Sequence, residues 1–225
     1  MPFAFTVRTK DDLIRAILEY GFVPLFRNAI PGFSIEEHVA PEAWFDSGID
    51  GVWEWKGPVI RESGCAYGKF LEHKAAFISA EWFPDFANYR RDGYDFDARY
   101  EEGLAPYADK TLFDLVEANA PAQSGWLKRL GGYGKDGRKG FDASMARLQA
   151  QCYVITSDFI YQTDRYGRRY GWGTAEYTTP EARFGPEFRR AAYSREPAES
   201  YTRVLAHLQK LLPEASEKQL RRILA

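Results

Sequence analysis

The stretch Lys139-Gly140-Phe141-Asp142-Ala143-Ser144-Met145-Ala146-Arg147-Leu148-Gln149-Ala150-Gln151 decides the fold, together with the β-rich runs that follow it. Phe141, Met145 and Leu148 recur at i, i+4 and i+7, the apolar stripe of a helix with one buried face. Tyr153-Val154-Ile155-Thr156 and Phe159-Ile160-Tyr161 then read as a strand. Asp164-Arg165-Tyr166-Gly167-Arg168-Arg169 reads as a polar turn, and Tyr170 to Thr178 as the returning strand. Working upstream, Leu112, Leu115 and Val116 mark a first helix and Pro121-Ala122 a turn. Ser124 caps a second helix carrying Trp126, Leu127 and Leu130, and Gly131-Gly132-Tyr133-Gly134 breaks it. Three helices followed by a hairpin with a basic tip is the order of a winged helix-turn-helix module, here residues 108–180.

Around this module the fold class reads as α+β. Residues 1–107 form an aromatic-rich α+β N-terminal region, and residues 181–225 a C-terminal helical segment with runs at 198–211 and 215–224. Thr9 followed by Asp11 and Asp12 opens a helix carrying Leu13, Ile14, Ile17 and Leu18, which ends at Gly21. Residues 22–52 read as an irregular connection. Trp53-Glu54-Trp55-Lys56 alternates like a short strand. Residues 65–71 and 75–79 read as a hairpin about Glu72-His73-Lys74, and Ser79 as the cap of a helix reaching about Arg91 despite Pro84. Acidic, aromatic residues 92–107 read as a linker.

The chain has 225 residues, 45% hydrophobic and 28% charged, which is ordinary for a globular protein. No leader is visible in Met1-Pro2-Phe3-Ala4-Phe5-Thr6-Val7, and no apolar run approaches the ~18 residues that a membrane span needs. Two distant cysteines, Cys65 and Cys152, make neither a disulfide framework nor a zinc site, so the expectation is a reduced, cytoplasmic setting. Net charge is −2, which argues against a general nucleic-acid binder, but the charge is unevenly placed. Residues 1–121 carry 12 Lys and Arg against 21 Asp and Glu, whereas residues 122–170 carry 9 against 4. Phosphate contact needs that local asymmetry, although a solvated basic face would look the same.

On the third helix, Lys139, Ala143, Ala146, Arg147 and Ala150 lie opposite the apolar stripe. Small residues flanked by cations suit a helix seated in a DNA groove, with Lys139, Ala143 and Arg147 as candidate contacts. Arg165, Arg168 and Arg169 would reach a neighbouring backbone from the wing. The expected partner is duplex DNA, with no membrane. A protein partner is the rival, since winged helices also mediate protein contacts and alanine is simply a good helix former. Gly132-Tyr133-Gly134-Lys135-Asp136-Gly137 matches a dinucleotide fingerprint literally but follows a helix rather than a strand, so it reads as a turn. His38, His73 and His207 are scattered without metal spacing; no metal and no cofactor are expected. Gln149 and Gln151 share a face if the chain there is extended and diverge by ~200° if it is helical. In the first case two amides could hold one water. Trp53, Glu54 and Trp55 offer either a stacking pocket with a carboxylate or ordinary core packing.

Arg147-Leu148-Gln149-Ala150-Gln151, Ala76-Phe77-Ile78-Ser79-Ala80-Glu81-Trp82 and the winged-helix order together resemble the AlkZ/YcaQ-like winged-helix DNA glycosylases, in particular their short AlkZ-related members. The likeness spans about residues 10–190. It implies a protein of DNA repair that hydrolyses the N-glycosidic bond of alkylated purines without metal or cofactor. It also implies a Gln-x-Gln triplet that positions the attacking water, for which Gln149 and Gln151 are the matching pair. Two other readings stay open: a non-enzymatic DNA-binding or regulatory winged helix, and a protein-interaction module.

Overall fold

Thr9 and Asp12 start the first helix by capping each other: the Asp12 amide donates to the Thr9 hydroxyl, and the Asp12 carboxylate accepts from the Thr9 amide. The computed structural model describes residues 6–44 and 51–225. Helix α1 (Lys10–Tyr20) ends at Gly21, whose φ of +75° and close approach to the Trp82 ring both demand glycine. Strand β1 (Phe22–Pro24), a 3-10 turn at Ile35–Glu37 and helix α2 (Pro41–Trp44) follow. Next come α3 (Val52–Ser63), β2 (Ala66–Leu71), β3 (Lys74–Ile78), α4 (Phe83–Arg91) and α5 (Phe96–Glu101). The three strands form an antiparallel sheet in the order β1-β3-β2, with Ile78 opposite both Phe22 and Ala66.

Several expectations change here. Trp53-Glu54-Trp55-Lys56 is not a strand but the first turn of α3. Gly57 and Pro58 look like breakers, yet Pro58 is accommodated within the helix, and Val52, Trp55, Val59 and Ile60 bury one face at helical spacing. The connection at 22–52 contains β1, the 3-10 turn and α2; its residues 45–50 lie outside the described residues, as do residues 1–5 of the start read for a leader. Helix α4 starts at Phe83 with Pro84 in its first turn, and Ser79 does not cap it. The region 92–107 is not a bare linker: α5 inserts Phe96 against Phe113 and Tyr153, with ring centroids 4.6 and 4.7 Å apart.

The second half runs α6 (Tyr107–Asn119), β4 (Ala122–Gln123), α7 (Ser124–Leu130), α8 (Phe141–Ala150), β5 (Ile155–Thr163) and β6 (Arg169–Thr178). Its antiparallel sheet has the order β4-β6-β5. Pro121-Ala122 leads into a short edge strand, with Ala122 paired to Tyr177. Gln123, not Ser124, occupies the cap position of α7. The third helix of the segment starts two residues later than expected, after Gly140 at φ +88°. Helices α9 (Pro180–Phe184), α10 (Pro186–Ala192), α11 (Pro197–Leu211) and α12 (Glu217–Leu224) complete a mixed chain of helices and two small antiparallel sheets.

Two apolar clusters organise these elements. The larger gathers α1, the first sheet, α3, α4 and, from the far end of the chain, Phe188, Val204, Leu208, Leu220 and Ile223. The smaller holds Phe96, Leu112, Phe113, Val116, Leu127, Phe141, Met145 and Leu148. The chain between α8 and β5 serves both: Cys152 and Ile155 belong to the larger cluster, Tyr153 and Val154 to the smaller.

Arg91, at the end of α4, holds this seam. Its side chain is 1% exposed. Its guanidinium donates to the Glu181 carboxylate at 2.5 Å, to the Tyr193 hydroxyl at 2.9 Å and to the Cys152 carbonyl at 2.8 Å. It also lies 4.8 Å from the Tyr153 ring centroid and 5.4 Å from that of Phe188. Burial works against the charge, but Glu181 and Tyr193 outweigh it and hold the pKa above the ordinary arginine value. Replacing Arg91 by Met should lower the unfolding free energy by about 3 kcal/mol, because the Cys152 carbonyl and the Glu181 carboxylate lose their shared donor, while the Tyr193 hydroxyl keeps its bond to the Tyr94 carbonyl. Urea denaturation checks this as a lower midpoint at unchanged slope.

Candidate nucleic-acid interface

Helix α8 is amphipathic because the Phe141, Met145, Leu148 stripe enters the smaller cluster. Asp142, Ala143 and Arg147 stay exposed and Ala146 half-buried, so the outward face is confined to the first two turns. The last turn is covered. Ala150 is buried and its carbonyl accepts from Arg90 at 2.8 Å.

The helix ends in a Schellman motif. The Cys152 amide donates to the Gln149 carbonyl at 2.8 Å and the Tyr153 amide to that of Leu148 at 2.9 Å, with Cys152 at φ +62°. The chain is therefore helical through Ala150, with Gln151 as its cap, and Gln149 and Gln151 do not converge. Gln149 is 3% exposed, and its side-chain oxygen accepts the Lys69 amide of edge strand β2 at 3.1 Å. A β-carbon on Gly68 would stand 3.2 Å from that oxygen, so the glycine leaves room for the amide. Burial, then Asp142, push the Tyr177 hydroxyl up to about 12, while its hydrogen bond with Gln149 acts the other way. Gln149 thus joins the two sheets, whereas Gln151 is half-buried at the helix end.

The candidate cations divide into two sets. Arg147 binds the buried Asp109 carboxylate of α6 through two hydrogen bonds, at 2.8 and 2.6 Å, and also donates to Ser144. Asp109 raises its pKa. Lys139 donates to the carbonyls of Gly134 and Lys135, closing the glycine-rich loop. A β-carbon at Gly137 would collide with the Gly132 carbonyl, so this loop closes on itself as a tight turn. At the β5–β6 turn, by contrast, Arg165 and Arg168 lie over the Tyr166 ring at 4.7 and 5.9 Å, and Arg169 over Tyr161 at 5.5 Å. Among the described residues none of these three pairs with a carboxylate. Tyr166, Tyr170 and Trp172, which the sequence-based expectation omits, interleave with them and are exposed. The alternation of arginine and aromatic residues across 165–172 was the available signal.

The Trp53, Glu54, Trp55 trio divides across α3. Glu54 and Trp55 line a groove of about 550 Å³ with Arg8, Arg61 and Arg169. Trp53 instead meets Phe26, Trp44 and Trp172, with centroids 6.2, 5.9 and 6.1 Å away. Next to it Lys56 is buried, its amine 4.3 Å from the Trp53 centroid and 4.1 Å from that of Phe159. Burial pushes this amine down to about 8, with Glu54 opposing. His38 and His207 contact the carbonyls of Gly32 and Tyr20, and both cysteines are buried and unpaired by disulfide. Among the described residues no group of three or more His, Cys, Asp or Glu is placed to hold a metal, and no helix is long and apolar enough to cross a membrane.

Residues 7–225 match the family described as AlkZ related, and the chain belongs to that family. Comparison with curated proteins and with solved structures returned no match.

Two outcomes follow from this geometry. Gln149→Ala should destabilise the protein by about 1–3 kcal/mol, since it strips the Lys69 amide of its partner, while Gln151→Ala should stay within ~0.5 kcal/mol; paired urea titrations read both. Lys56→Met should raise stability at pH 7 by about 1–3 kcal/mol, the desolvation penalty less the ring attraction. Below pH 8 the lysine is charged in both states and the penalty is constant. Between about 8 and the ordinary value of 10.5 the folded state loses the proton first, so wild-type stability rises with pH and the gap to Lys56→Met closes. Melting curves across that window check the sign.

Proposed function

We propose that residues 108–180 are a winged-helix module that binds duplex DNA, with the start of α8 facing a groove and the wing arginines on the backbone. The order α6-β4-α7-α8-β5-β6 with sheet order β4-β6-β5 supports the module. The observation that carries the DNA reading is the wing: three guanidiniums that pair with no carboxylate among the described residues and lie over the Tyr166 and Tyr161 rings. Residues 1–107 and the C-terminal helices 181–225 then act as the body that fixes the module. Ala143 and Lys139 flank the groove-facing turn. Arg147 contributes through its other edge, since Asp109 already holds Nε and Nη2.

Family membership favours a second reading, hydrolysis of the N-glycosidic bond of an alkylated purine. It asks Gln149 and Gln151 to hold one water, and the engagement of Gln149 with β2 makes binding without hydrolysis the better-supported function.

Fluorescence anisotropy with a labelled duplex tests the first reading. Affinity should fall steeply with salt, and replacing Arg165, Arg168 and Arg169 by Ala should reduce the slope of log K against log salt by roughly 0.9 for each phosphate no longer neutralised. An affinity indifferent to salt would overturn it. The same protein incubated with an N7-alkylguanine duplex should leave no abasic site; release abolished by Gln149→Ala and Gln151→Ala together would restore the hydrolytic reading.

A further inference from the structure

We propose that the wing is a stacking platform for unpaired DNA bases, so that the preferred ligand is a duplex with a locally opened or disrupted position rather than a perfect one. This rests on the DNA-binding reading above and names its substrate class.

The wing exposes more ring surface than phosphate contact requires. Tyr166 is 69% exposed, Tyr170 54% and Trp172 67%, all within seven residues. Such rings lower the solubility of a hairpin that has no core of its own at its tip. Tyr170 and Trp172 offer π faces, with Tyr166 carrying the Arg165 and Arg168 guanidiniums beside them, and bases paired in a duplex present edges, not faces, to a bound protein. Unpaired bases supply the matching surface.

The charge pattern selects a polyanion for the same place. Arg165, Arg168 and Arg169 alternate with the rings. Asp164, the acidic residue of the turn, accepts the amides of Tyr166 and Arg168 on its Oδ1, at 2.8 and 2.9 Å. The turn is thereby shaped by its one acid while its cations remain available to phosphate.

The platform is also held in position. Tyr170 pairs with Gln162 and Thr174 with Ile160, so β6 spends two more residues than β5 between these pairs, and Gly171 sits in this bulge at φ +71°. Bulges re-aim side chains. Trp172, just after it, meets the Trp53 ring edge-on at 6.1 Å, and Trp53 rests in turn on Trp44 and Phe26. An exposed indole backed by a packed aromatic row loses little freedom when a base stacks on it.

Anisotropy titrations with three labelled DNA probes of one sequence test this: a perfect duplex, a duplex with a short internal bubble, and the single strand; an RNA strand of the same sequence is the fourth probe. The bubble should bind about tenfold more tightly than the duplex, in line with the stacking of one or two bases. Tyr170→Ala and Trp172→Ala together should bring that ratio towards one. Tyr166→Ala, at a turn position touching no core residue, should lower it partially and covers the case in which the Trp172 variant fails to fold. A 2-aminopurine in the bubble should be quenched by wild-type protein and not by the double variant. Equal affinity for bubble and duplex, or a preference that survives in the variants, overturns the platform while leaving duplex binding standing. Tighter binding of the RNA strand than of the DNA bubble overturns the choice of ligand. No binding to any probe removes the platform and the DNA-binding reading together.

Discussion

A single guanidinium at the end of α4 ties together segments that lie far apart in sequence. Arg91 joins its own helix to the α8–β5 turn through Cys152, to α9 through Glu181 and to the end of α10 through Tyr193. A charge buried to this degree is costly, and the bonds from its two terminal nitrogens offset that cost, while Nε has no hydrogen-bond partner among the described residues. The arginine therefore commits four segments, distant in sequence, to one arrangement. Around it the rings of Tyr153, Phe188 and Tyr193 complete the enclosure. The C-terminal helices are thus part of the main body, packed on the same cluster as α1 and the first sheet.

That arrangement sets what α8 can offer. Its last turn is clamped from the body side, by the bond from Gln149 to β2 and by Arg90 on the Ala150 carbonyl, and only its first turns face outward. The β5–β6 hairpin is buttressed from the same side. Arg61 of α3 pairs with Asp158 of β5, and Tyr161 donates to the Trp53 carbonyl. The exposed start of one helix and the tip of one hairpin remain, both held against a rigid backing. Positioned chemistry of this kind suits recognition of a surface more than enclosure of a small substrate.

The sequence yielded the elements with strong periodicity or clean punctuation. The Phe141, Met145, Leu148 stripe, the hairpin about Glu72-His73-Lys74 and the capped start of α1 were legible because local physics alone dictates them. Helix α3 was not, because Gly57 and Pro58 mimic breaks and because two tryptophans two residues apart imitate strand alternation. Helix α5 was hidden in an acidic stretch whose one decisive residue is Phe96. For the site, residue types were readable and their engagement was not. Nothing near Arg147 in sequence announces Asp109, and nothing near Gln149 announces Lys69, since each pairing is made by the packing of distant elements. In the β5–β6 turn the contacts of Arg165 and Arg168 are local, over the Tyr166 ring, whereas Arg169 lies over Tyr161 and lines a groove with Glu54 and Trp55 of α3.

The alternation at the seam between α8 and β5 has an evolutionary consequence. Successive side chains there are divided between two interiors, Cys152 and Ile155 to one, Tyr153 and Val154 to the other. A gene fragment encoding the hairpin and its three helices would carry half of that division as an orphaned greasy edge. Recombination that moves such a cassette into a new protein would be punished by aggregation before any binding could be selected. This segment and its surroundings form one packing unit, whereas a substitution at the exposed tip of the β5–β6 hairpin disturbs neither interior.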